Sequence, residues 1–395
     1  MAIAEDLTFD PYRDEQNPFP RWKRLRDEAP LYHNEERGFF MLTRHADVKS
    51  VLRDWRTYSS ADGVVLDLMK NPSAVAEFRN MLFEDPPVHT LHRKMLTAVF
   101  TPRRVADLEP SVRELCARYL EGWGEGEYEF VSQLSGRLPM AVIGALLGVP
   151  ETDYKLIADL VVNYTDRTAG EASGLAPRAA LSAYLAEHIK RLRSEPADGL
   201  LSALANMRVD DGETERALTD EEAINQATVL ALAGNETTNR LFSFAADTLA
   251  RFPEARRELA ADHRLIPGAV EEILRFENPA YFFGRVTRKE VSWHGQTLPP
   301  GSFLMLNAGS AGHDERAFES PEQFDIHRKI GNEQLGFGGG IHYCLGAPLA
   351  RLELTIAIEE MLGRCPDWEC DYDRAEFATT PATRGWKKLP ISFDA

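Results

Sequence analysis

The sequence predicts a mainly helical protein with a small β region, an α+β arrangement. Apolar residues recur at three- and four-residue steps over Val105–Trp123, Ser132–Leu147, Glu151–Thr165, Arg178–Arg193, Asp220–Phe252 and Ala269–Phe276, the period of helices with one buried face. The run from Asp220 to Phe252 would extend about 50 Å at 1.5 Å per residue, enough to cross the whole molecule. Runs with strand character are short by comparison.

In chain order, strands are expected at Phe39–Thr43, at Arg285–Trp293 with Gln296–Pro299 around a His294-Gly295 turn, at Phe303–Asn307 and at Leu389–Phe393. They read as one small sheet assembled from distant pieces. The Gly/Ala/Ser-rich stretch Ala169–Pro177 is either a mobile lid or a plain connection. Phe318–Gly340 reads as a long irregular segment, and such segments in compact folds usually serve function. Repeats, low-complexity tracts and linkers are absent from the sequence, so one domain over residues 1–395 is expected.

A formal charge of −17 argues against nonspecific nucleic-acid binding, which needs a basic footprint. Apolar runs such as Met140–Val149 fall far short of a membrane span, and the N-terminus lacks a basic and then apolar leader, so a soluble, cytoplasmic protein is expected. The four cysteines, with no C-x-x-C pair, fit a reducing compartment and speak against a disulfide framework or zinc ribbon.

The richest stretch runs from Phe337 through Gly338-Gly339-Gly340-Ile341-His342-Tyr343-Cys344-Leu345-Gly346 into Ala347-Pro348-Leu349-Ala350-Arg351. It sets a Gly-rich loop before a cysteine, then a proline suited to the first turn of a helix running to about Leu362. A cysteine just ahead of a helix start meets free backbone N–H groups and the positive dipole end, which favour thiolate and metal binding. A dinucleotide reading fails, because Ile341 stands where G-x-G-x-x-G needs its third glycine. A second unusual stretch, Ala233-Gly234-Asn235-Glu236-Thr237-Thr238, puts glycine, an acid and hydroxyls inside an otherwise apolar helix. Such a local breach of propensity marks either a solvated face or a functional site.

The first stretch resembles the heme-binding loop of the cytochrome P-450 family, F-x-x-G-x-H-x-C-x-G, matching at Phe337, Gly340, His342, Cys344 and Gly346. The resemblance runs from Asp10-Pro11-Tyr12 to Leu389-Pro390, and implies a long central helix over heme with the cysteine loop beneath. It implies one heme b (iron protoporphyrin IX) per chain, ligated by Cys344, with Phe337, Gly338 and Gly346 shaping the cradle. Ala233-Gly234-Asn235-Glu236-Thr237-Thr238 is similar to the family's distal motif, which implies that Thr237 engages iron-bound dioxygen and Glu236 relays protons. The small pair Ala233 and Gly234 would leave room beside the helix. Glu272 and Arg275 match the family's E-x-x-R brace. Its usual third partner is an arginine in P-E-R-F, but the chain reads Pro321-Glu322-Gln323-Phe324, leaving Gln323 or a backbone group as candidates. His89 and Arg93, one helical face apart in register, together with Arg285 and His342, match the family's cations for the heme propionates.

The implied activity is monooxygenation of an apolar small molecule such as a terpenoid, fatty acyl, steroid, macrolide or aromatic compound, with dioxygen and electrons from a ferredoxin and its NAD(P)H reductase. Arg93, Lys94, Arg103 and Arg104 lie where the family docks its acidic donor. By position, substrate contacts are expected from Leu66, Met69, Phe78, Met81, Leu82, Val229, Leu232, Ala233, Tyr281, Phe282, Phe283 and Ala382. A peroxide-driven heme-thiolate enzyme and a non-enzymatic heme sensor are the alternatives. The Glu236-Thr237 pair weighs against the first, and the lack of spare length for an output module against the second.

Overall fold

Asp220–Arg251 is one uninterrupted helix of 32 residues. It starts where the sequence provides a capping box: the Thr219 hydroxyl accepts from the Glu222 amide, and Glu222 accepts in return from the Thr219 amide. Asp220, Glu221 and Glu222 place negative charge at the positive dipole end. The computed structural model describes residues 7–11, 16–77, 79–165, 175–210, 214–379 and 383–393.

Around this helix the expected helices form, with prolines resetting several boundaries. Val105–Trp123 divides into Pro102–Asp107 and Glu109–Tyr119, because Pro110 belongs in a first turn, where its missing N–H costs nothing. Ser132–Leu147 likewise divides into a π-helical turn at Val131–Ser135 and the helix Leu138–Leu147, with Pro139 at its start. Pro177 lies inside rather than before a helix, which spans Leu175–Ser194; residues 169–174 of the expected loop lie outside the described part. Two further helices bear on the site, His45–Arg53 and Val88–Val99.

The strands do not make the single sheet expected. Five of them do, in the order Leu31–Asn34, Phe39–Leu42, Phe303–Asn307, Phe282–Thr287, Tyr58–Ser59. Arg285–Trp293 is not one strand: Phe282–Thr287 joins this sheet, while Val291–Trp293 turns back on Gln296–Leu298 as a separate hairpin. The C-terminal strand Pro390–Phe393 pairs with Gly126–Glu129 and Glu369–Cys370 in a second sheet. A further hairpin, Glu376–Thr379 with Arg384–Lys388, lies against the long helix. No helix among the described residues is long and apolar enough to cross a membrane.

Candidate active site

The cysteine loop is folded by its glycines. Gly338 and Gly340 adopt φ of 71° and 63°, a region that L-residues with a Cβ avoid. A Cβ on Gly340 would also strike the Leu52 carbonyl at the end of His45–Arg53, so that helix can pack under the loop only because this residue is glycine. The Cys344 amide donates to the Phe337 carbonyl at 2.9 Å, closing the loop just ahead of the helix Ala347–Arg364. Cys344 is exposed by its surface, yet burial is the largest influence on its thiol and pushes it up. The Gly346 and Ala347 amides and the Arg93 charge act in the opposite direction, toward the thiolate.

Behind the loop, Glu272 and Arg275 are buried on Ile266–Phe276 and meet in a two-pronged pair, Nε to Oε2 and Nη2 to Oε1, each 2.7 Å. Arg275 also donates to the carbonyls of Gly312 at 2.6 Å and Pro321 at 3.0 Å. The third side chain is Arg328, whose Nε is 3.2 Å from Glu272 Oε1. Gln323 enters only through its backbone carbonyl, which accepts from Arg328 and Arg275. The sequence signal for Arg328 was slight, a basic residue four places beyond Phe324 in an irregular stretch.

On the open side of the loop, four basic side chains converge. His89 and His342 have ring centroids 4.3 Å apart. Both ring nitrogens of His89 and Nε2 of His342 are buried with no hydrogen-bond partner among the described residues. Burial and then the charges of Arg285, His89 and Arg93 push His342 down to about 2. Arg285 is buried, among the described residues donates only to the carbonyl of its neighbour Gly284, and is pushed down to about 10 by burial against the partial compensation of Asp85. Unsatisfied donors and mutually repelling cations in one buried place are costly unless an anion completes them. Two carboxylates on a flat ligand above Cys344 would do so, and the heme propionates fit this donor set.

On the long helix Ala233 and Thr237 are not buried, and the Thr237 hydroxyl donates to the Ala233 carbonyl at 2.7 Å. Gly234 plays another part than the one expected: a Cβ there would lie 2.8 Å from Ile143 Cδ1, so the glycine admits the helix Leu138–Leu147 instead of leaving room for a ligand. Glu236 turns to an adjoining face, where Thr383 donates to it at 3.2 Å and Arg240 approaches to 3.7 Å. With Asn235, Asn239 and Arg240 it lines a cavity of about 1540 Å³ bounded also by Tyr154 and Lys387.

The family model for cytochrome P450 matches residues 167–376. Cytochrome P450 130 of Mycobacterium tuberculosis is 35% identical, over 89% of this chain and 89% of its own length. The erythromycin C-12 hydroxylase of Saccharopolyspora erythraea is 36% identical, over 86% and 85%. This chain belongs to the cytochrome P450 family. The P450 fold is shared with PksS, a cytochrome P450 of the Bacillus subtilis bacillaene synthase, at a TM-score of 0.88 and 29% identity over 98% of this chain and all of that one. Membership makes the protein a heme-thiolate monooxygenase.

Within this P450 the positions expected to line the substrate space separate into two groups. Leu66, Met69, Tyr281 and Phe282 do not line it: each is at most 3% exposed, packed with Phe9 and Trp22 of the N-terminal segment, and the Tyr281 hydroxyl donates to the Pro11 carbonyl. Strand alternation explains Phe282, which points to that core while Phe283 and Arg285 point to the cysteine loop, with Phe283 3.7 Å from where a Gly338 Cβ would stand; Tyr281 lies just before the strand. Met81 and Val229 are also buried in the main core. Leu82, Leu232, Ala233 and Phe283 keep accessible surface. Phe78 and Ala382 lie outside the described residues.

Proposed function

We propose that this P450 holds one heme b through Cys344, with its propionates on His89, Arg93, Arg285 and His342, and oxidises a bulky apolar small molecule. The observation that carries this reading is the set of buried imidazole nitrogens of His89 and His342, without hydrogen-bond partners among the described residues, beside the guanidinium groups of Arg93 and Arg285 at the cysteine loop, a donor set that an anionic ligand completes. Bound heme supplies the oxidising chemistry, and a thiolate axial ligand favours O–O cleavage. The protein's part is positioning, exclusion of water and proton supply. Phe283, Leu82 and Leu232 give the substrate side an apolar wall. The Thr237 proton is directed at the Ala233 carbonyl, and the hydroxyl oxygen is left free to accept one. Glu236, tied to Thr383 and open to the large cavity, moves protons from that cavity toward Thr237.

Electrons come from a separate ferredoxin and NAD(P)H-dependent reductase. The exposed Lys94, Arg103 and Arg104, with half-buried Arg93, give an acidic donor a basic landing place in a chain whose net charge is −17. The names of the relatives, an erythromycin hydroxylase and a polyketide-synthase P450, support a macrolide or polyketide-like substrate. The test is turnover of a macrolide and polyketide panel with ferredoxin, reductase and NAD(P)H, against a parallel series driven by hydrogen peroxide. NAD(P)H-dependent product carrying one atom of labelled dioxygen is expected. Product formed only with peroxide contradicts the reading.

A further inference from the structure

Glu271 and Glu272 are neighbours on one helix, yet they serve different networks. Glu272 belongs to the Arg275–Arg328 brace. Glu271 turns to the cysteine loop, where it forms a two-pronged pair with Arg351, Nε to Oε1 and Nη2 to Oε2 at 3.2 Å. Arg351 sits on the helix that follows Cys344 and makes two more contacts with the loop. Its guanidinium carbon lies 4.5 Å from the centre of the Phe337 ring, and Nη1 donates to the Tyr343 hydroxyl at 3.1 Å. Gln334 closes the circuit: its Nε2 donates to the Glu271 carbonyl at 2.9 Å, and its Oε1 accepts from the Gly336 amide at 3.0 Å.

We propose that Arg351 and Glu271 form a clamp that fixes both flanks of the cysteine loop and thereby sets the donor environment of the Cys344 sulfur. One flank is Gly336-Phe337, held through Gln334 and by the stacked guanidinium; the other is Tyr343, adjacent to Cys344. The grip passes to the cysteine through one bond, because the Phe337 carbonyl accepts from the Cys344 amide. Planarity matters here, since a guanidinium can stack on Phe337 and pair with a carboxylate in two prongs at once while an ammonium cannot. Arg351 and Glu271 are therefore positioning residues, and the inference rests on Cys344 being the iron ligand.

The test uses the heme-loaded full chain as wild type, Arg351→Ala, Arg351→Lys, Glu271→Gln and Tyr343→Phe. The readouts are the heme midpoint potential, the rate of ferredoxin-driven reduction and the rate at which the red-shifted carbon monoxide band is lost in mild urea. Loss of the two-pronged pair should speed loss of the band about tenfold and shift the potential in Arg351→Ala and Glu271→Gln. Arg351→Lys should fall with Arg351→Ala rather than rescue it, and Tyr343→Phe should give a small change of the same sign. A red-shifted band in wild type with potential and decay unchanged across the series overturns the clamp. So does an unchanged potential with only ferredoxin-driven reduction impaired, which would make Arg351 a docking residue. Absence of the band in wild type would instead fail the Cys344 assignment itself.

Discussion

Arg328 reaches across the irregular segment to place its Nε 3.2 Å from Glu272 Oε1, and the same carboxylate oxygen accepts from the Asp325 amide at 3.0 Å. The remaining guanidinium nitrogens donate to the carbonyls of Glu319, Ser320 and Gln323. One side chain thus ties three points of a segment with little regular structure of its own to a buried ion pair. Truncating one member of such a network leaves a buried charge underpaired, which costs about 3–5 kcal/mol where both partners are buried. Arg328→Ala is expected to cost somewhat less, about 2–3 kcal/mol, because its side chain keeps some exposure, and to lower the fraction of chain recovered with heme. Urea unfolding monitored by circular dichroism, with heme-to-protein ratios, checks this.

The cation cluster gives a second expectation. Arg285 is buried with no carboxylate bonded to it among the described residues, so its replacement by leucine should leave the apo fold intact or stabilise it. Heme affinity should fall about 30-fold or more, the scale of a lost buried charge pair. Hemin titration of apo protein measures the affinity and thermal melting of the apo form measures the stability. Opposite signs for the two quantities separate ligand binding from structural support.

Thr237 donates to a carbonyl within its own helix and, among the described residues, bonds no other element. Thr237→Ala should therefore leave stability within about 0.5 kcal/mol while lowering the ratio of product to NAD(P)H consumed and raising peroxide release. Glu236→Gln keeps the Thr383 contact in shape but cannot carry a proton as a carboxylate does, and should slow turnover about 10²-fold with an altered solvent isotope effect. Equal coupling in wild type and Thr237→Ala would remove the hydroxyl from the mechanism.

The start of the long helix carries a pH dependence. Glu222, hydrogen-bonded by Arg216 and opposed in part by burial, is pushed down to about 2 from an ordinary value of 4.5. An acid with a lowered folded-state pKa contributes stability that is complete above 4.5 and fades as pH falls toward 2. Glu222→Gln should cost about 1 kcal/mol at pH 7, the scale of a cap, and the difference from wild type should shrink as unfolding is measured at lower pH below 4.5. A difference that grows on acidification would contradict the pairing.

How much of this was legible in the sequence follows from how local each signal is. The long helix, the cysteine loop and the E-x-x-R pair each lie within one continuous stretch, and all three appear where expected. Arg328 escaped because its partner is 56 residues away and its own segment has no period. Leu66, Met69, Tyr281 and Phe282 were misassigned because an apolar residue looks the same in sequence whether it faces a ligand or Trp22. Gly234 was misread for a related reason: a missing Cβ makes space, but only packing shows that Ile143 takes it. The Arg351–Glu271–Tyr343 contacts join three separate stretches and have no spacing that could announce them.

The account turns on Cys344 as the iron ligand, and the direct measurement is the absorption spectrum of the reduced protein with carbon monoxide, for wild type, Cys344→Ala and Cys344→His. A strongly red-shifted Soret band in wild type, absent from both variants, is the predicted result. An unshifted band in wild type, or a shifted band that survives Cys344→His, would contradict it.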